Sequence, residues 1–106
     1  MRKRSIFISG VQKELATERR ALKDYVQGDP LLRRFFDVLL FEDLPASDRR
    51  ADDVYLDEVN RCGIYLGVFG NEYGPENAEG LSATEREFDR ATATGKTRLI
   101  YLKGQR

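Results

Sequence analysis

Ile64-Tyr-Leu-Gly-Val-Phe69 decides the fold of this 106-residue chain. A strand with one wet face alternates apolar and polar residues, whereas this run is apolar almost throughout. That pattern suits a central parallel strand with helices over both faces. The flanking sequence repeats the βα unit that such a sheet needs. Upstream, Arg4-Ser-Ile-Phe-Ile-Ser9 reads as a first strand ended by Gly10. Leu15, Leu22 and Val26 recur at helical spacing between Gln12 and Gln27, and Gly28-Asp29-Pro30 stops that helix. Leu31 to Phe36 reads as a short helical turn, Asp37 to Glu42 as a second strand and Asp43 to Asp52 as a polar loop. Val54, Leu56 and Val59 mark a helix running to about Arg61. Downstream, a loop rich in Gly, Asn and Tyr leads to a helix starting at Ser82, Gly95 caps its C-terminus, and Thr97 to Leu102 is a fourth strand.

Right-handed crossovers between parallel strands hide the third strand best in the order 2-1-3-4, a three-layer α/β open sheet of the flavodoxin-like kind. The winding reverses between strands one and three, which opens a crevice at their C-terminal ends. Ser9, Gly10 and Val11 line one side of it, Gly70, Asn71, Glu72 and Tyr73 the other, and Glu87 stands near the same rim. In this topology the first helix is alone on its face, and the last residues directly follow a strand. We therefore expect a sheet missing a C-terminal helix. The chain, a single domain over residues 1–106, is expected to be the N-terminal module of a larger protein or to self-associate through the bare face.

Composition narrows the chemistry. Lys plus Arg, 18, equals Asp plus Glu, 18, so no basic field attracts nucleic acid or an anionic membrane. The absence of histidine removes Ser-His and Cys-His catalysis and the usual zinc clusters, and no metal site is expected. Cys62 has no partner for an internal disulfide and reads as a small buried residue. No apolar run approaches a membrane span, and Met1-Arg-Lys-Arg leads into a strand rather than a signal-peptide core, so a cytoplasmic location is expected.

The candidate for catalysis lies in Gly80-Leu-Ser-Ala-Thr-Glu-Arg-Glu-Phe-Asp-Arg-Ala91. Thr84, Glu87, Phe88 and Ala91 share one helical stripe, which places a carboxylate on the side facing the core. Helix capping is one reading, since Ser82-x-x-Glu85 and Thr84-x-x-Glu87 both fit a capping box. Ser82 is the better cap, which leaves Glu87 in the second turn without that duty. A catalytic carboxylate at the mouth of the cleft is the other reading. The Ser9-Gly10-Val11 turn offers backbone N–H groups for a phosphate, or is a steric strand-to-helix turn. Tyr73 either stacks on a base or packs its loop onto the core. Glu14, Glu18 and Arg19 in the first helix read as a helix-to-core ion pair, with ligand contact by Arg19 second. Glu42, Asp43 and Asp48 with Arg49 and Arg50 read as a solvated mixed-charge loop.

Taken in order, Ile6-Phe-Ile-Ser-Gly-Val-Gln-Lys-Glu-Leu-x-x-Glu-Arg19, Tyr55-Leu-x-Glu-Val-x-x-Cys62, Tyr65-Leu-Gly-Val-Phe-Gly-Asn-Glu-Tyr-Gly74, Gly80-Leu-Ser-x-Thr-Glu-x-Glu-Phe-Asp-x-Ala91 and Gly95-Lys96 resemble the domain-of-unknown-function family DUF4062. Gly10 departs from that family's common second Ser, and Gly63 from its usual acidic residue. The resemblance implies an N-terminal module of a multidomain bacterial or archaeal protein. More distantly the chain is similar to TIR domains and to nucleoside deoxyribosyltransferases, which carry a glutamate on the helix after the central strand. Thr84-x-x-Glu87-x-x-x-Ala91 keeps that spacing. The likeness implies that Glu87 stabilises or attacks the sugar carbon of an N-glycosidic bond. Ser9 and the Gly10 and Val11 amides would then hold phosphate or ribose, with Tyr73 stacked on the base and Gly70, Asn71 and Thr84 beside it. NAD or another nucleotide is the ligand or substrate implied. Nicotinamide, bound as a cation, needs no general acid on departure, which favours NAD.

Two functions follow. The first is a TIR-like regulatory, signalling or assembly module, whose partners are other domains of the same chain or a second copy. The alternative is an enzyme, an NAD glycohydrolase or a deoxyribosyltransferase-like protein, that cleaves N-glycosidic bonds with Glu87.

Overall fold

The computed structural model describes residues 3–43 and 51–103, and for 51–55 the backbone alone. Strands β1 (Arg4–Ser9), β2 (Phe36–Leu39), β3 (Ile64–Phe69) and β4 (Thr97–Leu102) form one parallel sheet in the order β2-β1-β3-β4. Ile6 pairs with Val38 on one side and Ile64 on the other, so β1 and β3 are both interior strands. Their apolar composition follows from that placement, because each meets helices above and below.

Alternation along β1 divides the core in two. Ile6 and Ile8 point toward helix α1 (Gln12–Gly28) and pack with its Leu15, Leu22 and Val26. Phe7 points the opposite way, toward α3 (Ala51–Arg61) and α4 (Ala83–Ala93), where it meets Val59, Cys62 and Ala91. An aromatic chain crosses this second layer: Phe7 to Tyr65 at 6.5 Å, Tyr65 to Phe88 at 6.0 Å and Phe88 to Phe69 at 6.2 Å between ring centres. Leu15 is fully buried, and its truncation to Ala would cost about 3 kcal/mol. Cys62 is buried too, and its thiol donates to the Val59 carbonyl at 3.1 Å. Burial pushes that thiol up from its ordinary value.

Local signals fix the ends. Ser82 caps α4 by accepting the Glu85 N–H at 3.1 Å, and Gly95 follows the helix with φ +70°. Asp29 accepts the N–H groups of Leu31 and Leu32 and so starts the one-turn α2 (Leu32–Phe35). The outer edge of β2 is partly covered, since the Gln27 side chain accepts the Val38 N–H at 3.1 Å.

The second strand is shorter than the sequence suggests. It ends at Leu39, and Phe41–Asp43 form a 3₁₀ turn. That turn delivers Glu42 and Asp43 to α1, where Glu42 pairs with Arg19 and Asp43 with Arg20 and Lys23. Neither acid belongs to a freely solvated loop. Asp48, Arg49 and Arg50, and the side chain of Val54, lie outside the described residues.

Helix α1 leaves β4 bare. Leu99 and Tyr101, on the α1 side, are 52% and 59% exposed, and Ile100 and Leu102, on the α4 side of this edge strand, 45% and 71%. An apolar cavity of about 510 Å³ lies between α1 and β4, walled by Leu22, Tyr25, Leu66 and Tyr101 among others. Among the described residues no helix is long and apolar enough to cross a membrane, and no group of three or more His, Cys, Asp or Glu side chains is placed to hold a metal.

Candidate functional site

Glu87 and Ser9 meet where α4 passes the C-terminal end of β1. Ser9 is two residues beyond Phe7 and therefore points to the same, α4-facing side of the sheet. Glu87 is one turn before Ala91 on the buried stripe of α4. The Ser9 hydroxyl donates to Glu87 Oε1 at 2.6 Å, with Ser9 fully buried and Glu87 7% exposed. Burial pushes the Glu87 carboxyl up to about 7, against the Ser9 hydrogen bond and the charges of Arg19 and Arg86, which favour ionisation. Beside this pair the Tyr65 hydroxyl is buried close to the Ser9 hydroxyl but makes no well-formed hydrogen bond among the described residues. Burial raises its phenol as well.

The turn after β1 is built around a close approach. Gly10 has φ +151°, and a Cβ there would fall onto the Val68 carbonyl oxygen of the neighbouring strand. Only glycine fits both demands. Arg19, 2% exposed, donates from Nη1 to the Gly10 carbonyl at 3.1 Å and grips both Glu42 oxygens at 3.0 and 2.7 Å. This fork-to-carboxylate geometry locks the turn from behind. Glu42 feels burial first, which raises its carboxyl, but the Arg19 bonds and its own backbone outweigh that and leave it lowered.

The opposite wall is tied to α1. Glu14 accepts the backbone N–H groups of Asn71 at 2.7 Å and Glu72 at 3.0 Å. A side chain at Gly70 would occupy the space that the Glu14 carboxylate fills. Tyr73 is anchored at its tip: its hydroxyl donates to Glu85 Oε1 at 2.5 Å and accepts the Ser82 N–H at 3.1 Å.

Two cavities of about 280 Å³ each open between these walls, and they share Val11, Ser82 and Thr84. The first holds Glu87, Gly10 and Lys13. The second holds Gly70, Tyr73, Phe69 and Phe88. Glu87, Gly10, Val11, Gly70, Tyr73 and Thr84 therefore line two adjacent cavities with common walls, with Ser9 directly behind Glu87. Asn71 is exposed and is in the lining of neither cavity, and its backbone N–H is engaged by Glu14.

Three features of the crevice escape sequence reading. Arg19 makes an ion pair out of its helix as expected, but its partner, Glu42, lies 23 residues away, while Glu18 pairs with Lys103 at 2.8 Å. Glu14 serves backbone amides 57 and 58 residues away, a distance no local pattern reports. Lys13 brings a cation to the Glu87 cavity from the first turn of α1, and its proximity to Gly10 in sequence was the available hint.

The fold has solved relatives. A 2-desoxiribosyltransferase from Leishmania mexicana superposes with a TM-score of 0.67 at 17% sequence identity, covering 97% of this chain and 67% of that one. The open parallel sheet with order 2-1-3-4 is thus shared with that protein. No curated protein sequence matches the chain. The family model for the domain of unknown function DUF4062 matches residues 5–106, nearly the whole sequence, and the chain belongs to that family.

Proposed function

We propose that this domain cleaves the N-glycosidic bond of a nucleoside or nucleotide, with Glu87 as the carboxylate that meets the sugar carbon. The observation that carries the reading is a 7%-exposed acid, held by one hydroxyl, that still lines an open cavity. A buried carboxylate without a cationic partner is costly, and such sites are enriched for function. The shared fold with a 2-desoxiribosyltransferase supports the same chemistry. In the reaction the ionised Glu87 oxygen attacks the anomeric carbon, and the bonding pair departs with the base nitrogen. Water or an acceptor base then displaces the sugar from the ester.

Ser9 steadies the attacking carboxylate, Lys13 and the Gly10 and Val11 amides face the polar end of the substrate, and Tyr73 borders the base. NAD suits this site because its nicotinamide leaves as a neutral molecule and requires no proton donor. Incubation with NAD and with deoxynucleosides, with release of free base followed by chromatography, tests the reading. Glu87→Gln should lower turnover by about a thousandfold or more. Equal turnover in that variant, or none with any substrate in the wild type, would overturn it. Because only the ionised acid attacks, wild-type rates should rise with pH through about 7.

A second reading, an assembly or regulatory module of a multidomain prokaryotic protein, is supported by the exposed apolar residues of β4. Light scattering across a concentration series tests it, and a monomer throughout would count against self-association through this face.

A further inference from the structure

We infer that the second cavity is a base-binding subsite that takes planar aromatic rings by stacking and does not read their edges. The inference rests on the glycosidic reading of Glu87 but adds a separate site with its own ligand class. The two cavities are neighbours that share Val11, Ser82 and Thr84 as common walls, yet their other walls differ in kind. The Glu87 side offers a carboxylate and Lys13, which suit a sugar and its substituents. The other side is walled by Phe69, Phe88, Val68 and the ring of Tyr73. A nucleoside has the same division, a polar sugar and a flat apolar ring joined at the scissile bond.

The geometry of the second chamber favours stacking. At about 280 Å³ it lies at the small end of small-molecule sites and fits one ring system, not a whole nucleotide. Phe69 meets Phe88 edge to face, 6.2 Å apart and 70° between planes, so their surfaces form a corner. The Phe69 ring lies over Gly67, where an added Cβ would come within 2.8 Å of it; that glycine gives the ring its seat. Tyr73 is 43% exposed, but its tip is fixed to Glu85 and Ser82, so little freedom is lost when a ring lies against it. The same bonds engage Tyr73, Ser82 and Glu85 with one another. Thr84 and Glu72 also border the chamber, but its wall is overwhelmingly apolar, and a site with few placed donors and acceptors discriminates weakly between flat ligands.

The experiment separates binding from turnover. The full chain carrying Glu87→Gln is titrated with nicotinamide and with adenine, and aromatic ring signals are followed by NMR. Both probes should shift the Phe69, Tyr73 and Phe88 signals saturably, with affinities within about tenfold of each other. Phe69→Leu and, separately, Tyr73→Leu should each weaken both probes by about tenfold, while Lys13→Ala leaves them unchanged. Testing two positions guards against one variant misfolding, and unchanged backbone spectra identify the variant that counts. Shifts clustered elsewhere, or unaltered affinity in both folded variants, would overturn the subsite even if the wild type turns over nucleosides. Binding as described without any turnover would sustain the subsite and remove the glycosidic function.

Discussion

Arg19 and Glu87 approach the β1–α1 turn from opposite faces of the sheet, and both are buried, at 2% and 7% exposure. Their surroundings differ sharply. Arg19 has a carboxylate in bidentate contact and a backbone carbonyl, so its charge is compensated. Glu87 has a neutral hydroxyl and an open cavity. A charge kept for architecture is fully partnered. One left short of partners beside a void keeps a carboxyl near neutrality and free to meet something else. The contrast separates scaffold from chemistry within a few residues of one turn.

The largest effect should come from breaking the scaffold side. Arg19→Met leaves Glu42 and the Gly10 carbonyl without their partner and should cost about 4 kcal/mol in urea unfolding at neutral pH. A loss below about 1 kcal/mol would erase the proposed distinction.

Glu87→Gln should act in the opposite direction. The Glu87 carboxyl rises from 4.5 to about 7 in the folded protein. Between those values the folded state holds a proton that the unfolded state has released, so wild-type stability falls as pH rises. The fall is complete above about 7 and amounts to at most about 3 kcal/mol. The variant lacks this slope and should be more stable than wild type at pH 8, with the gap shrinking at pH 5. Glu42 has the other sign. Its lowered carboxyl contributes stability above the ordinary range, and that is lost as pH falls through its folded value.

Ser9→Ala removes the one hydrogen bond shown to the ionised Glu87. It should cost about 2 kcal/mol at pH 8 and less at pH 5, and the rising limb of any pH–rate profile should move to higher pH. A profile that stays in place would detach Ser9 from Glu87. The smallest effect belongs to Lys103→Ala, which breaks an exposed pair with Glu18. Its melting temperature should match wild type within error, as expected for a solvent-screened contact.

Much of this was legible in the chain. The bounds of β1, β3 and β4 coincide with the runs read from sequence, because the apolar interior strands β1 and β3 and the glycines beside all three leave strong local marks. The burial of Glu87 followed from helical spacing alone, since Thr84, Phe88 and Ala91 fix which way the helix turns. The end of β2 did not follow. Phe41, Glu42 and Asp43 fit a strand locally, but Arg19, Arg20 and Lys23 on α1 capture the two acids and bend the chain. Tertiary ion pairing overrode local preference there. The roles of Arg19 and Glu14 were hidden for the same reason, since each acts on a segment distant in sequence.

Cys62 gives the molecule a built-in reporter. Its thiol is 2% exposed, sits between α3 and the sheet, and is poor at forming the reactive thiolate. Alkylating reagents can reach it only when that layer parts, so the pace of labelling measures how often α3 and α4 lift from the sheet, without any added dye or engineered tag.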